Sequence, residues 1–350
     1  MGAALATIIA AAALGAGPAA PMPELGDARL VGQRIVSGFE GTSPPAALRR
    51  RIRSGRLAGV ILFADNFDSR AGAERLAREL QSIPRPRGLR APLLVMVDQE
   101  GGLVKRLPGP PSLSAAEMGR AGPATCRRQG AATARLLRRT AINVDLAPVL
   151  DVAAPGSAIG REGRSFGSDP RAVAACGGAF AAALERNGVA PTAKHFPGIG
   201  RAAVNTDDAL QRIAASRAQL RGVDETPFRE FVDGGARGRL VMISSAVYPA
   251  FADRPAAFTR RLASGELRRR LGFDGVSITD ALETASTAAF GGSTRAAGAA
   301  ARAGTDLMLF AELGAAKRAT GELRAVLRAD RARFQASVSR VLELRAGIRE

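Results

Sequence analysis

A segment around the only histidine of the chain contains residue types that transfer protons and bind polar substrates. It reads PTAKHFPGIGRAAVNTDDAL over residues 191–210, with Lys194 beside His195 and two adjacent carboxylates, Asp207 and Asp208. A lone histidine is commonly a core residue, but the neighbouring lysine and the Phe-Pro-Gly turn make an apolar setting unfavourable. The segment therefore predicts a polar site in which an imidazole or a carboxyl group moves protons.

Three other segments carry charged residues directly after apolar runs. Asp98, Glu100 and Arg106 occur in VMVDQEGGLVKR, Arg164 in GREGRSFGSDP and Asp280 in SITDALE. As helix caps or surface ion pairs, these residues would be structural only. As a site, carboxylates and cations of this kind accept and donate hydrogen bonds to sugar hydroxyls, and a carboxylate can also act as a nucleophile. The residue types alone leave both interpretations open.

The elements that must position these residues are eight apolar runs alternating with amphipathic stretches. This count predicts an α/β fold, a (β/α)8 barrel, in which the active site lies at the carboxyl ends of the strands. An open doubly wound sheet is the alternative, but no glycine-rich phosphate fingerprint follows the first run. The predicted strands span residues 33–39, 58–64, 92–98, 142–149, 189–196, 240–245, 275–280 and 306–310.

Composition narrows the function classes. The formal net charge of +18 comes almost entirely from arginine, since lysine occurs only three times. Nucleic-acid binding would require basic residues clustered with aromatic residues, which the chain lacks. The carboxylates, cations and imidazole at the strand ends favour a sugar, and thus a glycan, as the partner, and the charge favours attraction to anionic envelope polymers. Cys126 and Cys176 have no metal-ligand spacing, and they either pair or remain as buried thiols. Neither a metal nor a cofactor is expected.

The first 25 residues form an apolar leader. MGAALATIIAAAALGAGPAAP has the length of a signal-peptide core but no basic residue before the apolar run. It predicts secretion or attachment to the cell envelope. Residues 26–350 are then expected to form one barrel domain and to act as a monomer.

Six motifs in order resemble glycoside hydrolase family 3, in particular its single-domain bacterial β-N-acetylhexosaminidases. They are VDQEGGLVKRLPG, NVDLAPVLDV, GRSFGSDP, AKHFPGIG, VMISSAVYPAF and LGFDGVSITDALE, and they cover roughly residues 30–310. The resemblance implies a (β/α)8 barrel and a metal-independent retaining β-glycosidase with Asp280 as the nucleophile. It also implies a pocket that binds the terminal sugar and is lined by Asp98, Arg106, Arg164, Lys194 and His195.

One motif departs from the family. Single-domain hexosaminidases have an Asp-Ser-His sequence after the Lys-His pair, and its histidine is the acid/base. The matching residues here are Asn205, Thr206 and Asp207, and no second histidine exists. We therefore expect Asp207 to be the acid/base, with Asp208 as the fallback. The alternatives are a catalytically weak family member that binds envelope glycan, a non-catalytic envelope-binding protein, and a β-glucosidase.

Overall fold

Eight parallel strands close into a barrel in the computed structural model, which describes residues 23–235 and 238–348. The predicted barrel is confirmed: seven predicted runs each contain one of its strands, and the run at 275–280 overlaps the strand Val276–Ala281. Residues 1–22 of the predicted leader lie outside the described residues. Around the barrel the order is β1, β10, β9, β8, β7, β6, β3 and β2. The strands are β1 Ile35–Ser37, β2 Gly59–Ile61, β3 Leu94–Val97, β6 Val144–Asp145, β7 Ala190–Phe196, β8 Leu240–Ile243, β9 Val276–Ala281 and β10 Leu307–Phe310; β4 Gln99–Gly101 and β5 Val104–Lys105 form a separate antiparallel hairpin.

The strands read as continuous apolar runs because both of their faces are buried. In β3, Leu94 and Met96 belong to a small core inside the barrel, while Val95 and Val97 belong to the larger core between the strands and the helices. Alternate residues thus serve two hydrophobic layers. Polar side chains are consequently concentrated at the strand ends.

Helices surround the barrel, and local signals set where they begin and end. Asp169 caps α7 by accepting the amide of Arg171 at 2.7 Å, and Pro170 occupies the first helical position, as GSDP predicts. The helices are α1 Asp27–Gly32, α2 Ala46–Arg53, α3 Arg70–Ser82, α4 Ala115–Ala121, α5 Pro123–Arg139, α6 Ala158–Arg161, α7 Pro170–Arg186, α8 Arg217–Gln219, α9 Thr226–Asp233, α10 Ala285–Ala288, α11 Gly292–Ala303, α12 Leu313–Arg318, α13 Thr320–Ala329 and α14 Arg331–Gly347, with 3₁₀ turns at Ala64–Asn66 and Ala256–Phe258 and π-helical segments at Leu220–Asp224 and Arg261–Arg270.

Other sequence expectations concern the two cysteines and the membrane. Cys126 and Cys176 are both buried free thiols, so of the two alternatives the unpaired one is found. No helix within residues 23–235 and 238–348 is long and apolar enough to cross a bilayer.

The amino end of the barrel contains a buried ion network around Asp306, which precedes β10. Its carboxylate accepts the amide of Ser277 at 2.8 Å and pairs with Arg340 at 2.7 Å and with Arg268. Burial alone would raise the pKa of Asp306, but Arg268 and Arg340 outweigh burial and lower the pKa to about 2. This charge is therefore fully compensated by the protein.

Candidate active site

All seven predicted site residues lie at the carboxyl ends of the strands or in the loops that follow them. Because the strands are parallel, these ends meet at one rim of the barrel, which is where barrel enzymes place their active sites. The residues are Asp98 after β3, Arg106 after the β4–β5 hairpin, Arg164 between α6 and α7, Lys194 and His195 in β7, Asp207 between β7 and α8, and Asp280 in β9.

Lys194 is the centre of a buried charge network at this rim. Its Nζ lies 2.7 Å from Asp98 Oδ1 and 2.7 Å from Glu100 Oε1, and only 2% of the residue is exposed. Burial would lower the pKa of Lys194, but the two carboxylates outweigh it and raise the pKa. Arg106 approaches Asp98 more loosely, at 3.9 Å, and its buried Nε has no hydrogen-bond partner among the described residues.

Glu100 joins this network to Arg164. The guanidinium of Arg164 donates to both carboxylate oxygens of Glu100 at 2.9 Å, and it also reaches Glu162 at 3.2 Å. Burial would raise the pKa of Glu100, but Lys194 and Arg164 lower it to about 2. The capping interpretation of Asp98 and Glu100 is wrong, since the next helix begins at residue 115 and is capped by Ser114.

The sequence prediction missed Glu100 as a site residue. The available signal was its place in VDQEGG, two residues from Asp98 and directly after a buried strand. The Glu100 carboxylate binds Arg164 and, together with Asp98, also binds Lys194. It therefore positions two of the residues that are predicted to bind the sugar.

Asp151, a second residue missed as a functional residue, fixes the orientation of His195. Asp151 Oδ2 lies 2.8 Å from His195 Nδ1, and its Oδ1 accepts the amides of His195 at 3.2 Å and Ile199 at 2.8 Å. With Nδ1–H donated to the carboxylate, Nε2 is the imidazole nitrogen left for a ligand. The Lys194–His195 peptide bond is cis.

Asp280 lies in β9 and is partly buried. Its Oδ1 accepts the amide of Ala281 at 2.8 Å, and no ion pair to it is found within the described residues. The helix-cap interpretation of Asp280 is wrong, because α10 begins at residue 285 and its N-cap position is Thr284. Asp280 is thus presented at the rim without a compensating cation, unlike Asp98 and Glu100.

The loop that carries Asp207 is tied to the same segment that follows Asp280. Ser286 Oγ donates to the carbonyl of Thr206 at 2.6 Å, and the amide of Ala285 donates to the carbonyl of Asp207 at 3.1 Å. At the base of the loop, Arg201 pairs with the buried Asp224 at 3.0 Å. These contacts hold the Asp207 backbone close to the β9 loop.

A second anchor of the loop is the only tyrosine of the chain. Tyr248 is fully buried, and its hydroxyl donates to the carbonyl of Gly198 at 2.9 Å. Asn205 Oδ1 accepts the amide of Asp207 at 3.1 Å, which closes a local turn at the loop tip.

The two carboxyl groups interact electrostatically. The negative charge of Asp280 is the largest influence on Asp207, and with partial desolvation it raises the pKa of Asp207 to about 6, against the opposing effect of His195, Arg164 and Lys194. The Asp207 side chain is exposed, yet protein atoms surround it closely enough to desolvate it, as for a group at the mouth of a cleft. A carboxyl group whose pKa is raised by a second carboxylate is an arrangement suited to an acid and a nucleophile.

Three further findings concern metal ligands, exposed apolar side chains and cavity volume. No group of three or more His, Cys, Asp or Glu residues within the described ranges is arranged to hold a metal ion. In the same ranges the exposed large apolar side chains are Leu103, 75% exposed at the tip of the β4–β5 hairpin, and Val204, 44% exposed in the Asp207 loop. Cavity volume does not mark this site, because clefts of about 620 and 800 Å³ lie away from Asp207 and Asp280.

Comparison with known proteins shows which family this chain resembles. The family model for the glycosyl hydrolase family 3 N-terminal domain matches residues 29–344. An uncharacterized secreted glycosyl hydrolase of Arthroderma benhamiae is 38% identical over 83% of this chain and 84% of its own length. A β-hexosaminidase of Methylobacillus flagellatus is 32% identical over 74% of this chain and 75% of its own.

Solved structures of β-N-acetylglucosaminidases and β-N-acetylhexosaminidases are also similar to this chain. A family 3 β-N-acetylglucosaminidase from Paenibacillus matches with a TM-score of 0.87 at 32% identity, covering 93% of this chain and 64% of that protein. This chain therefore spans less than two thirds of the Paenibacillus enzyme. A β-N-acetylhexosaminidase from Beutenbergia cavernae matches with a TM-score of 0.83 at 31% identity, covering 92% of this chain and 99% of its own.

Proposed function

The chain belongs to glycosyl hydrolase family 3, and we propose that it is a retaining exo-β-glycosidase that releases terminal β-linked N-acetylglucosamine. Membership of this family and the similarity to β-hexosaminidases indicate that the protein is a glycosidase. The observation that carries the proposed mechanism is the pair formed by Asp207 and Asp280 at the rim, in which the charge of Asp280 raises the pKa of Asp207 to about 6.

In the first step, Asp280 attacks the anomeric carbon while Asp207 donates its proton to the glycosidic oxygen. The bond from the anomeric carbon to the leaving oxygen breaks, and an ester between the sugar and Asp280 forms. Asp280 suits the nucleophile role because no cation neutralises it among the described residues. Asp207 suits the acid role because its raised pKa supplies a proton at mildly acidic pH.

In the second step, Asp207 removes a proton from water as the water attacks the anomeric carbon and releases Asp280. Formation of the ester removes the negative charge of Asp280, which is the main cause of the raised pKa of Asp207. The pKa of Asp207 therefore falls in the intermediate, and the group becomes a carboxylate suited to act as a base. The same electrostatic contact thus serves both half-reactions.

The remaining predicted residues form the pocket that binds the terminal sugar. Asp98 and Lys194 present a carboxylate and an ammonium group in direct contact, and Asp151 holds His195 with one imidazole nitrogen free. Fixed polar groups of this kind bind sugar hydroxyls with little reorganisation, and such hydrogen bonds strengthen at the oxocarbenium-like transition state. Arg106 and Arg164 complete the proposed lining.

The proposal is tested by kinetics on a panel of aryl β-glycosides. Asp207→Ala should lower kcat/KM by about 10² to 10⁴ for poor leaving groups and much less for 2,4-dinitrophenyl glycosides, which need no proton. Asp208→Ala is the matched control, since it removes the adjacent exposed carboxylate and should leave activity close to wild type. Equal activity of the Asp207→Ala and wild-type proteins on poor leaving groups would end this assignment.

The same panel identifies the sugar. Preference for N-acetyl-β-glucosaminides over β-glucosides supports the proposal, and the reverse preference would make the protein a β-glucosidase. The missing acid/base histidine favours one second candidate, a weak enzyme that mainly binds glycan. In that case chromogenic glycosides are cleaved, while a natural N-acetylglucosamine disaccharide is bound without turnover.

We also propose secretion or envelope association. One relative is named a secreted hydrolase, and the leader predicted at residues 1–25 is consistent with export. Cell fractionation of the native host with an antibody against the barrel tests this directly. Recovery of the protein solely with the cytoplasmic fraction would contradict it.

A further inference from the structure

A second concave surface lies on the outer face of the barrel, between the loop after β8 and helix α11. Its volume is about 800 Å³. Five arginines line it and a single carboxylate, Glu322, which pairs with Arg302 at 3.0 Å. We call this surface the arginine groove, and its arginines are Arg254, Arg260, Arg261, Arg295 and Arg302.

Four arginines of the groove have no ion pair among the described residues. They are Arg254, Arg260, Arg261 and Arg295, and all four are exposed, although Arg261 donates to the carbonyl of Phe251 at 3.0 Å. Asp253, which is adjacent to Arg254 in sequence, is paired with Arg212. Their positive charges are therefore available to a ligand, in contrast to those of Arg164 and Lys194 at the rim.

The floor of the groove is apolar. Phe258 and Phe290 meet edge to face with ring centroids 6.2 Å apart, and Phe251 lies on the same surface. Phe251 and Phe258 are almost fully buried, at 3% and 5% exposure, so of the three rings the partly buried Phe290 is the one that a ligand can contact. One ring accepts a single apolar face and does not form the series of rings on which successive nucleic-acid bases stack.

We propose that the arginine groove binds an acidic polysaccharide. Carboxylates match the planar guanidinium groups in bidentate pairs, and the carbon face of a sugar ring fits an apolar floor. One residue of the groove, Phe290, follows α10 by two residues, and the first residues of α10 hold the Asp207 loop. This site goes beyond the catalytic proposal, because binding in the groove is measured without any turnover.

The chain offers a matched control on its other side. A second basic surface of about 650 Å³ contains Arg50, Arg51, Arg53, Arg56 and Lys317, with no aromatic residue. It lies at α2 and the turn before β2, towards the amino end of the barrel. Arg50→Gln/Arg53→Gln/Arg56→Gln removes the same charge as Arg254→Gln/Arg260→Gln/Arg295→Gln but leaves the arginine groove intact.

The experiment measures binding of the full chain to polygalacturonate, neutral dextran, polyphosphate and a single-stranded oligonucleotide over a range of salt concentrations. We expect polygalacturonate to bind and dextran not to bind. The groove variant should bind polygalacturonate about tenfold more weakly, since each exposed ion pair contributes modestly, and the control variant should bind it nearly as well as wild type. Unchanged hydrolysis of a small aryl glycoside by both variants shows that they are folded.

Each of four results would overturn the proposal. Equal weakening in the two variants would assign binding to net charge alone. Absence of polygalacturonate binding at low salt would remove the site. Tighter binding of polyphosphate would make it a phosphate site, and tighter binding of the oligonucleotide would make it a nucleic-acid surface.

Discussion

Asp306 at the amino end of the barrel and Asp207 at its carboxyl end belong to one strongly basic chain, yet the charges that act on them most strongly are opposite. Positive charges surround Asp306, and a negative charge has the largest influence on Asp207. Asp306 is completely buried and pairs with Arg268 and Arg340, which bring its pKa to about 2. Asp207 is exposed at the rim and faces Asp280, which brings its pKa to about 6.

The difference separates charges that stabilise the fold from charges that are free to react. A carboxylate held by two arginines lowers the free energy of the folded state and has no tendency to accept a proton. A carboxyl group beside a carboxylate keeps its proton to a higher pH, as the pKa of about 6 for Asp207 indicates, and can transfer that proton. The rim contains both kinds, since Glu100 is compensated in the same way as Asp306.

The largest expected effect is on catalysis. Asp280→Asn should lower kcat/KM by at least about 10⁴, because it removes the nucleophile. Its thermal stability should be unchanged or higher, since the variant also relieves repulsion with Asp207. Steady-state kinetics and a melting curve measure the two properties, and undiminished activity in this variant would refute the enzymatic proposal.

The next effect is on stability, at the opposite end of the barrel. Asp306→Asn should lower the free energy of unfolding by about 3 kcal/mol at pH 7, because two partly buried arginines lose their partner. The folded pKa of Asp306 lies below its unfolded value, so this contribution is present above about pH 4. It is lost as the pH falls to about 2.

Urea unfolding of the wild type and the Asp306→Asn variant at pH 7 and at acid pH checks this prediction. The difference in stability should narrow as the pH falls, while activity per folded molecule stays near wild type. A difference that does not depend on pH would show that the ion pairs are not its source.

A third prediction concerns the pH profile. kcat/KM should fall as the pH rises above about 6, because Asp207 must be protonated to act as the acid. In Asp280→Asn the main cause of the raised pKa is gone, so carbon-detected NMR titration should place the pKa of Asp207 below 6. If kcat/KM of the Asp207→Ala variant still falls as the pH rises above about 6, a group other than Asp207 causes that fall.

The smallest expected effect concerns the exposed apolar residues of the rim. Leu103 and Val204 lie on the two loops that carry Arg106 and Asp207, where they can contact the leaving group. Leu103→Ser should raise KM about threefold for glycosides with apolar aglycones and leave methyl glycosides unchanged, as expected for partial burial of one side chain. Equal changes for both substrates would exclude such a contact.

Much of the candidate site was predictable from sequence because it follows strand ends. Asp98, Lys194, His195 and Asp280 stand directly at or within the ends of buried apolar runs, and parallel strands bring those ends to one rim. The partners of these residues were not predictable. Glu100 was equally consistent with a helix cap, and only the position of Arg164, 64 residues later, decides its role.

The sequence alone determined the barrel, since strictly alternating apolar runs and amphipathic helices satisfy their hydrogen bonds and burial in few other ways. It also determined that no second histidine is available as an acid. Only the tertiary structure decided which charges are compensated, because Coulomb interactions depend on distances between residues that are remote in the chain. The electrostatic interaction between Asp207 and Asp280, with the Asp207 loop anchored through Ser286, is the clearest example.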